Sequence, residues 1–115
     1  MLVIDAANVV GSRPDGWWRD RAGAAARFVA EVRSAGLDGP VVVVLEGQAR
    51  RGVEPGTVDG VEVVHAPGEG DDALAERAGD GVTLVTADRG LAERARAAGA
   101  DVVGPRWLLD RLSGS

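Results

Sequence analysis

Acidic side chains stand at the downstream ends of four apolar runs, and this placement is the strongest chemical signal in the sequence. Leu2-Val3-Ile4 ends in Asp5, with Asn8 three residues on. Val41–Leu45 is followed by Glu46. Val61–His65 passes through Pro67-Gly68-Glu69-Gly70 into Asp71 and Asp72, and Val82–Thr86 leads directly to Ala87-Asp88. If the runs are parallel strands, all these acids share the carboxyl edge of one sheet, where ligands of open α/β folds bind. Asp101 opens a fifth run, at the opposite edge, and is read as structural. Carboxylates gathered at one edge repel one another unless protonated or neutralised by cations. The chain has no lysine and a single histidine, His65, so a divalent cation is the natural neutraliser. Oxygen-only ligation selects Mg²⁺ or Mn²⁺ over zinc. Such an ion activates water and offsets phosphodiester charge, so the implied chemistry is hydrolysis of phosphoester bonds.

Competing chemistries fail on missing residues. There is no cysteine, which excludes disulfides, thiolate zinc sites and a cysteine nucleophile. All thirteen basic residues are arginine, which removes the P-loop lysine, Schiff-base chemistry, a serine–lysine dyad and a response-regulator receiver. Ser12, Ser34, Ser113 and Ser115 make no G-x-S-x-G turn. Ala7 stands where a haloacid-dehalogenase-type phosphatase needs its second aspartate, and Ala6–Gly11 is not a G-x-G-x-x-G loop. Several acids also have structural uses. Asp88 suits the N-cap of a following helix, Asp71 and Asp72 suit a helix start, Glu46 suits a solvated strand end, and Asn8 suits a turn.

The elements that must position these groups alternate strand and helix. Strands are expected at Leu2–Asp5, Val41–Leu45, Val61–His65, Val82–Thr86 and Asp101–Gly104. Helices are expected at Arg19–Ala35, with Trp18, Ala22, Ala25, Val29 and Val32 at helical spacing, and at Asp72–Ala78, Gly90–Ala98 and Arg106–Leu112 after Pro105. This pattern predicts a three-layer α/β/α domain with a mainly parallel five-stranded sheet. The weak joint lies between the second and third strands, where Gly47, Gly52, Pro55, Gly56 and Gly60 discourage a helix; an antiparallel pairing is open there. At 115 residues, 45% hydrophobic and 27% charged, residues 1–115 form one domain. No targeting or membrane-spanning segment is recognisable, so a cytoplasmic location is expected. The net charge of -5 argues against broad affinity for polyanions while leaving room for local arginine contacts.

Val3-Ile4-Asp5-Ala6-Ala7-Asn8, Gly70-Asp71-Asp72-Ala73-Leu74-Ala75-Glu76 and Val85-Thr86-Ala87-Asp88-Arg89-Gly90-Leu91 together resemble a PIN-like nuclease domain, and among these the NYN branch with its YacP-like members. The resemblance spans nearly the whole chain. It implies a metal-dependent ribonuclease fold with strand order 3-2-1-4-5. It also implies Asp5 as the first metal ligand, Asn8 as its orienting partner, Asp72 as the acid from the third-strand side and Asp88 as the final acid. The family usually has an aspartate after strand two; here Glu46 stands in that place, and Asp71 is an extra acid able to replace or assist Asp72.

The reading is a small Mg²⁺- or Mn²⁺-dependent ribonuclease acting on single-stranded RNA. Asp5, Asn8, Asp72 and Asp88 are the candidate catalytic residues, and Asp5, Glu46, Asp71, Asp72 and Asp88 the candidate metal ligands. Thr86 positions the site, and substrate contacts are expected from Arg13, Arg50, Arg51, Arg89 and Arg106, with Trp17, Trp18 and Arg19 as further candidates because arginine binds phosphate and exposed tryptophan stacks on unpaired bases. Two alternatives stand beside it: a noncatalytic RNA-binding or regulatory module with the same fold, and a metal-dependent phosphatase or nucleotide hydrolase. Apolar helix faces can either pair subunits into a homo-oligomer or close the core. A toxin role would call for an antitoxin partner, which nothing in the sequence reveals.

Overall fold

Apolar alternation along the strands builds two cores, one on each side of the sheet. A computed structural model of the chain describes residues 1–114. β1 (Leu2–Asp5) lies between β2 (Val41–Leu45) and β5 (Thr83–Val85), parallel to both, with Ile4 opposite Val43 on one side and Val85 on the other. β4 (Val61–His65) adds in parallel outside β2, and β6 (Asp101–Val103) outside β5. Ile4, Val43, Leu45 and Val85 face one side and pack with Phe28, Val29, Val32 and Leu108. Val3, Val42, Val44 and Leu84 face the other and pack with Leu74, Leu91 and Ala95. Helices α1 (Ala6–Gly11), α2 (Arg21–Ser34) and α5 (Pro105–Leu112) supply the first layer, and α3 (Gly70–Arg77) and α4 (Arg89–Ala97) the second.

The five expected strands are present, parallel, in the expected relative order. The sheet has a sixth, β3 (Gly56–Val58), which pairs antiparallel with β4 at the edge and gives the order β3-β4-β2-β1-β5-β6. Asp59 and Gly60 join β3 to β4 with φ of 52° and 77°, the paired positive angles of a tight hairpin turn that Asp-Gly accommodates. The weak joint is therefore resolved both ways: β2 and β4 are parallel, and the antiparallel pairing belongs to the inserted edge strand. A 3-10 segment, Gly47–Gly52, carries the crossover in place of an α-helix.

Two expectations at the start of the chain are corrected. Helix α2 begins at Arg21, where Asp20 caps it by accepting a hydrogen bond from the Gly23 N–H at 2.9 Å. Trp18 therefore lies outside the helix, in a 3-10 turn (Trp17–Arg19), and is 53% exposed rather than part of the buried stripe. Phe28 takes the central place in that stripe. The second correction is α1, which starts directly at the end of β1 where the sequence suggested only a loop. Among the described residues no helix is long and apolar enough to cross a membrane.

Candidate functional site

Chain order reverses at β1: β2 and β4 lie to one side, β5 and β6 to the other. The crevice outside the carboxyl end of β1 is thus the switch point of the sheet, where an open α/β fold binds its ligand. Asp5, the last residue of β1, is only 4% exposed. Its Oδ2 accepts hydrogen bonds from Asn8 Nδ2 at 2.7 Å and Thr86 Oγ1 at 2.8 Å, and its Oδ1 accepts a longer one from the Asn8 N–H at 3.4 Å, capping α1. Asn8 Oδ1 accepts from the Ala87 N–H at 3.2 Å, and Thr86 Oγ1 accepts from the Asp88 N–H at 3.1 Å. Asp88 Oδ1 caps α4 through the Leu91 N–H at 2.9 Å. One connected network thus ties the ends of β1 and β5 together and fixes Asp5, Asn8, Thr86 and Asp88 relative to one another. The capping and ligand uses weighed for Asp88 are compatible, because its second oxygen is not needed by the cap.

Burial pushes the Asp5 carboxyl above its ordinary pKa. The hydrogen bonds from Thr86 and Asn8 pull it part of the way back, and the negative charge of Glu46 adds to the rise. Burial thus makes the carboxylate costlier here than on an exposed aspartate, and among the described residues no arginine pairs with it.

Above this network opens a cleft of about 560 Å³. Its lining includes Asn8 and the acids Glu46, Glu69, Asp71 and Asp88, together with Val10, Trp17, Arg21, Ala25 and Leu45. Asp5 lies beneath, reaching the cleft through Asn8. Glu46 accepts a hydrogen bond from the Gly70 N–H and so clasps the start of α3 to the end of β2. That contact sets the phase of the helix. It turns Asp71 toward the cleft and leaves Asp72 outside it, 85% exposed at the side chain and 3.2 Å from Arg94 on α4. The expected placement of Asp72 beside Asp5 and Asp88 is corrected accordingly: Asp71 occupies that side of the cleft.

The convergence of acids is looser than the sequence suggested. Among the described residues, no three His, Cys, Asp or Glu side chains gather closely enough to enclose a metal ion. The donor set is nonetheless all oxygen and contains a buried carboxylate whose charge is uncompensated. That chemistry fits Mg²⁺ or Mn²⁺ bound through one or two carboxylates, the remaining positions going to water and substrate phosphate, better than a closed cage.

The arginines divide by partner. Arg13 forms a bidentate pair with Glu31 at 2.7 and 2.9 Å and lies against the Phe28 ring, so it ties the segment after α1 to α2 and does not line the cleft. The pairing raises the Arg13 pKa and lowers that of Glu31. Arg50 donates to the carbonyls of Gly47 at 3.1 Å and Ala66 at 3.2 Å, clamping the 3-10 segment to the end of β4. Arg51 is exposed beside Arg50 and His65, and the His65 ring is itself held at 2.7 Å to the Val53 carbonyl. Arg89 lines a second groove that meets the cleft at Asp88 and also contains Thr86 and Arg96. Arg106 is exposed on the first turn of α5. Thr86 is 4% exposed and acts on Asp5, not on solvent. Arg21 was absent from the sequence-derived site; its signal was the four-residue spacing from Trp17, obscured because both fell at an expected helix boundary.

No family model matches the chain, and no curated protein matches it. Among solved structures, the chain is similar to Rae1 (YacP) from Bacillus subtilis, with a TM-score of 0.68 and 19% identity over 98% of this chain and 74% of that one. The chain shares the fold of that protein, as the motifs implied. Identity at this level carries the fold and leaves the chemistry to the site.

Proposed function

We propose that this chain, folded as YacP is, hydrolyses phosphodiester bonds in single-stranded RNA with Mg²⁺ or Mn²⁺ as cofactor. The supporting observation is the network at the switch point, in which Asn8 and Thr86 hold a buried, charge-uncompensated Asp5 next to Asp88. Asp5 and Asp88 would hold the ion, with Asp71 beside them. When bound, it supplies an activated water and offsets charge on the scissile phosphate. The chain's own groups do the rest. Asn8 spends its amide on Asp5 and its carbonyl on the β5–α4 turn, so the carboxylate keeps one orientation. Thr86 fixes the same oxygen from the neighbouring strand while receiving the Asp88 N–H. The lining of the cleft includes four carboxylate residues, Glu46, Glu69, Asp71 and Asp88, against one guanidinium, Arg21. A phosphodiester would be repelled from that lining without a cation to bridge it.

The absence, among the described residues, of three clustered acids favours a second reading, a noncatalytic RNA-binding module with the same fold. One experiment decides between them. Labelled single-stranded RNA is incubated with the protein in Mn²⁺ and in EDTA, alongside Asp71→Asn and Asp72→Asn. Cleavage is expected in Mn²⁺ alone. Asp71→Asn should slow it by roughly 10-fold, as loss of a metal-shell group does, and Asp72→Asn should stay within about twofold because its carboxylate serves only an exposed pair. No cleavage together with no Mn²⁺-induced rise in melting temperature would establish the noncatalytic module. No cleavage with a clear rise would redirect the site toward small phosphate esters.

A further inference from the structure

Two residues lining the cleft, Trp17 and Arg21, differ in chemistry from its acids. Trp17 is half-buried and lines the cleft. Its indole is fixed by its neighbours: the Arg21 guanidinium lies 5.3 Å from the ring centroid, and Trp18 meets it edge-on at 5.9 Å and 90°. The turn carrying Trp17 is itself held by the hydrogen bond from the Trp17 N–H to Asp15 Oδ1 at 3.2 Å. Arg21 also lines the cleft, and among the described residues no carboxylate pairs with it. This contrasts with Arg13, which is consumed by Glu31, and Arg50, which is consumed by backbone carbonyls. An aromatic ring with an unneutralised guanidinium over it therefore shares one cleft with the carboxylates.

We infer that Trp17 and Arg21 form a nucleobase subsite that receives an unpaired base of the RNA chain adjoining the phosphate at Asp88. The inference rests on the proposed nuclease reading for the position of that phosphate. An indole presents a flat apolar face on which any base can stack, and a guanidinium adds both planar stacking and positive charge. A base held in a duplex is already stacked and cannot enter, so the subsite selects single strands. It also divides the cleft by chemistry: the scissile phosphate needs a cation to approach the carboxylates, and the base needs none to stack on Trp17.

Binding without catalysis tests this. With Trp18→Phe and Trp107→Phe, Trp17 becomes the sole indole of the three in the chain, and its emission is followed in EDTA on adding a short single-stranded oligoadenylate or the same sequence as a duplex. Quenching by the single strand alone is expected. In the otherwise unaltered chain, Trp17→Ala should weaken oligoadenylate binding by roughly 5- to 100-fold, the range of one base–aromatic stack. Trp17→Phe should recover most of that loss. Arg21→Ala, on an exposed first helical position, should weaken binding even if Trp17→Ala proves poorly folded. Unquenched Trp17 emission, or unchanged affinity in both Trp17→Ala and Arg21→Ala, would overturn the subsite. Because EDTA removes the metal, binding at Trp17 without any later cleavage in Mn²⁺ would leave the subsite standing and remove only the nuclease. Cleavage with binding indifferent to Trp17 and Arg21 would do the reverse.

Discussion

Asp5→Asn is expected to lower RNA cleavage by roughly 100-fold or more, while raising the melting temperature of the metal-free protein. Both effects come from the same property of the site. Even groups one step removed from a metal's ligands cost about 10- to 100-fold when lost, and Asp5 is the buried carboxylate around which Asn8, Thr86 and Asp88 are arranged. In the folded, metal-free chain its pKa is raised, chiefly by burial. A carboxyl with a folded pKa above its unfolded value contributes stability that is fully present below the unfolded pKa and is lost as pH rises through the folded one. At neutral pH the ionised Asp5 is therefore a cost. An asparagine of the same shape removes the charge, and its carbonyl oxygen can still accept from Asn8 Nδ2 and Thr86 Oγ1. It gives up the long 3.4 Å cap to the Asn8 N–H and turns its own amide N–H₂ toward that donor. The gap in melting temperature between variant and parent should be largest near neutral pH and close toward pH ~4, as the parent takes up its proton. Mn²⁺ should reverse the order, because it stabilises only the chain able to bind it. A variant that melts below the parent at neutral pH without metal, or that cleaves as fast as the parent with it, would remove Asp5 from this role.

What could be read from sequence follows the range of the interactions involved. Val41–Leu45 is apolar on both faces, as only a central parallel strand can be, and the acids at Asp5 and Asp88 follow from the strand ends themselves. The strand order 3-2-1-4-5 was implied by the family resemblance, and it survives with β3 added at the edge. Asp59-Gly60 was a local hairpin signal in plain sight, outweighed by the glycines and proline around it. The six residues of α1 are too few to show a helical period, and its cap, Asp5, had already been assigned to chemistry. Asp71 and Asp72 were not separable from local pattern. Their orientation depends on α3 starting at Gly70, which depends on the N–H of Gly70 reaching Glu46, 24 residues earlier. Arg13 likewise shows nothing in its neighbourhood of the Glu31 that occupies it from 18 residues away. Neighbouring residues fix which groups reach the edge; contacts distant in sequence fix which of them face the cleft.

Gly52→Ala should destabilise the fold by about 2–4 kcal/mol, the upper part of the range for overpacking, or roughly 10–20 °C in melting temperature for a domain of this size. A Cβ at Gly52 would stand 2.0 Å from the Ala22 carbonyl oxygen and 2.9 Å from its carbon. These are backbone atoms in the first turn of α2, so no side-chain rotation can relieve the overlap, and the 3-10 segment Gly47–Gly52 would have to part from the helix. That interface carries Ala49 and Val53 against the core containing Ala25 and Val29. The same movement would reshape the cleft, since Gly47, Gln48 and Ala49 of the 3-10 segment and Arg21 and Ala25 of α2 all line it. RNA cleavage and oligoadenylate binding should therefore fall even at temperatures where the variant remains folded. Gly79→Ala is the matching control: a Cβ there meets nothing within 4 Å, and its melting temperature should stay within about 2 °C of the parent. Thermal unfolding of the two variants followed by circular dichroism separates close approach from a general intolerance of alanine. If Gly52→Ala melted with the control, α2 and the 47–52 segment would not be in the contact described, and the shape of the cleft between them would have to be redrawn.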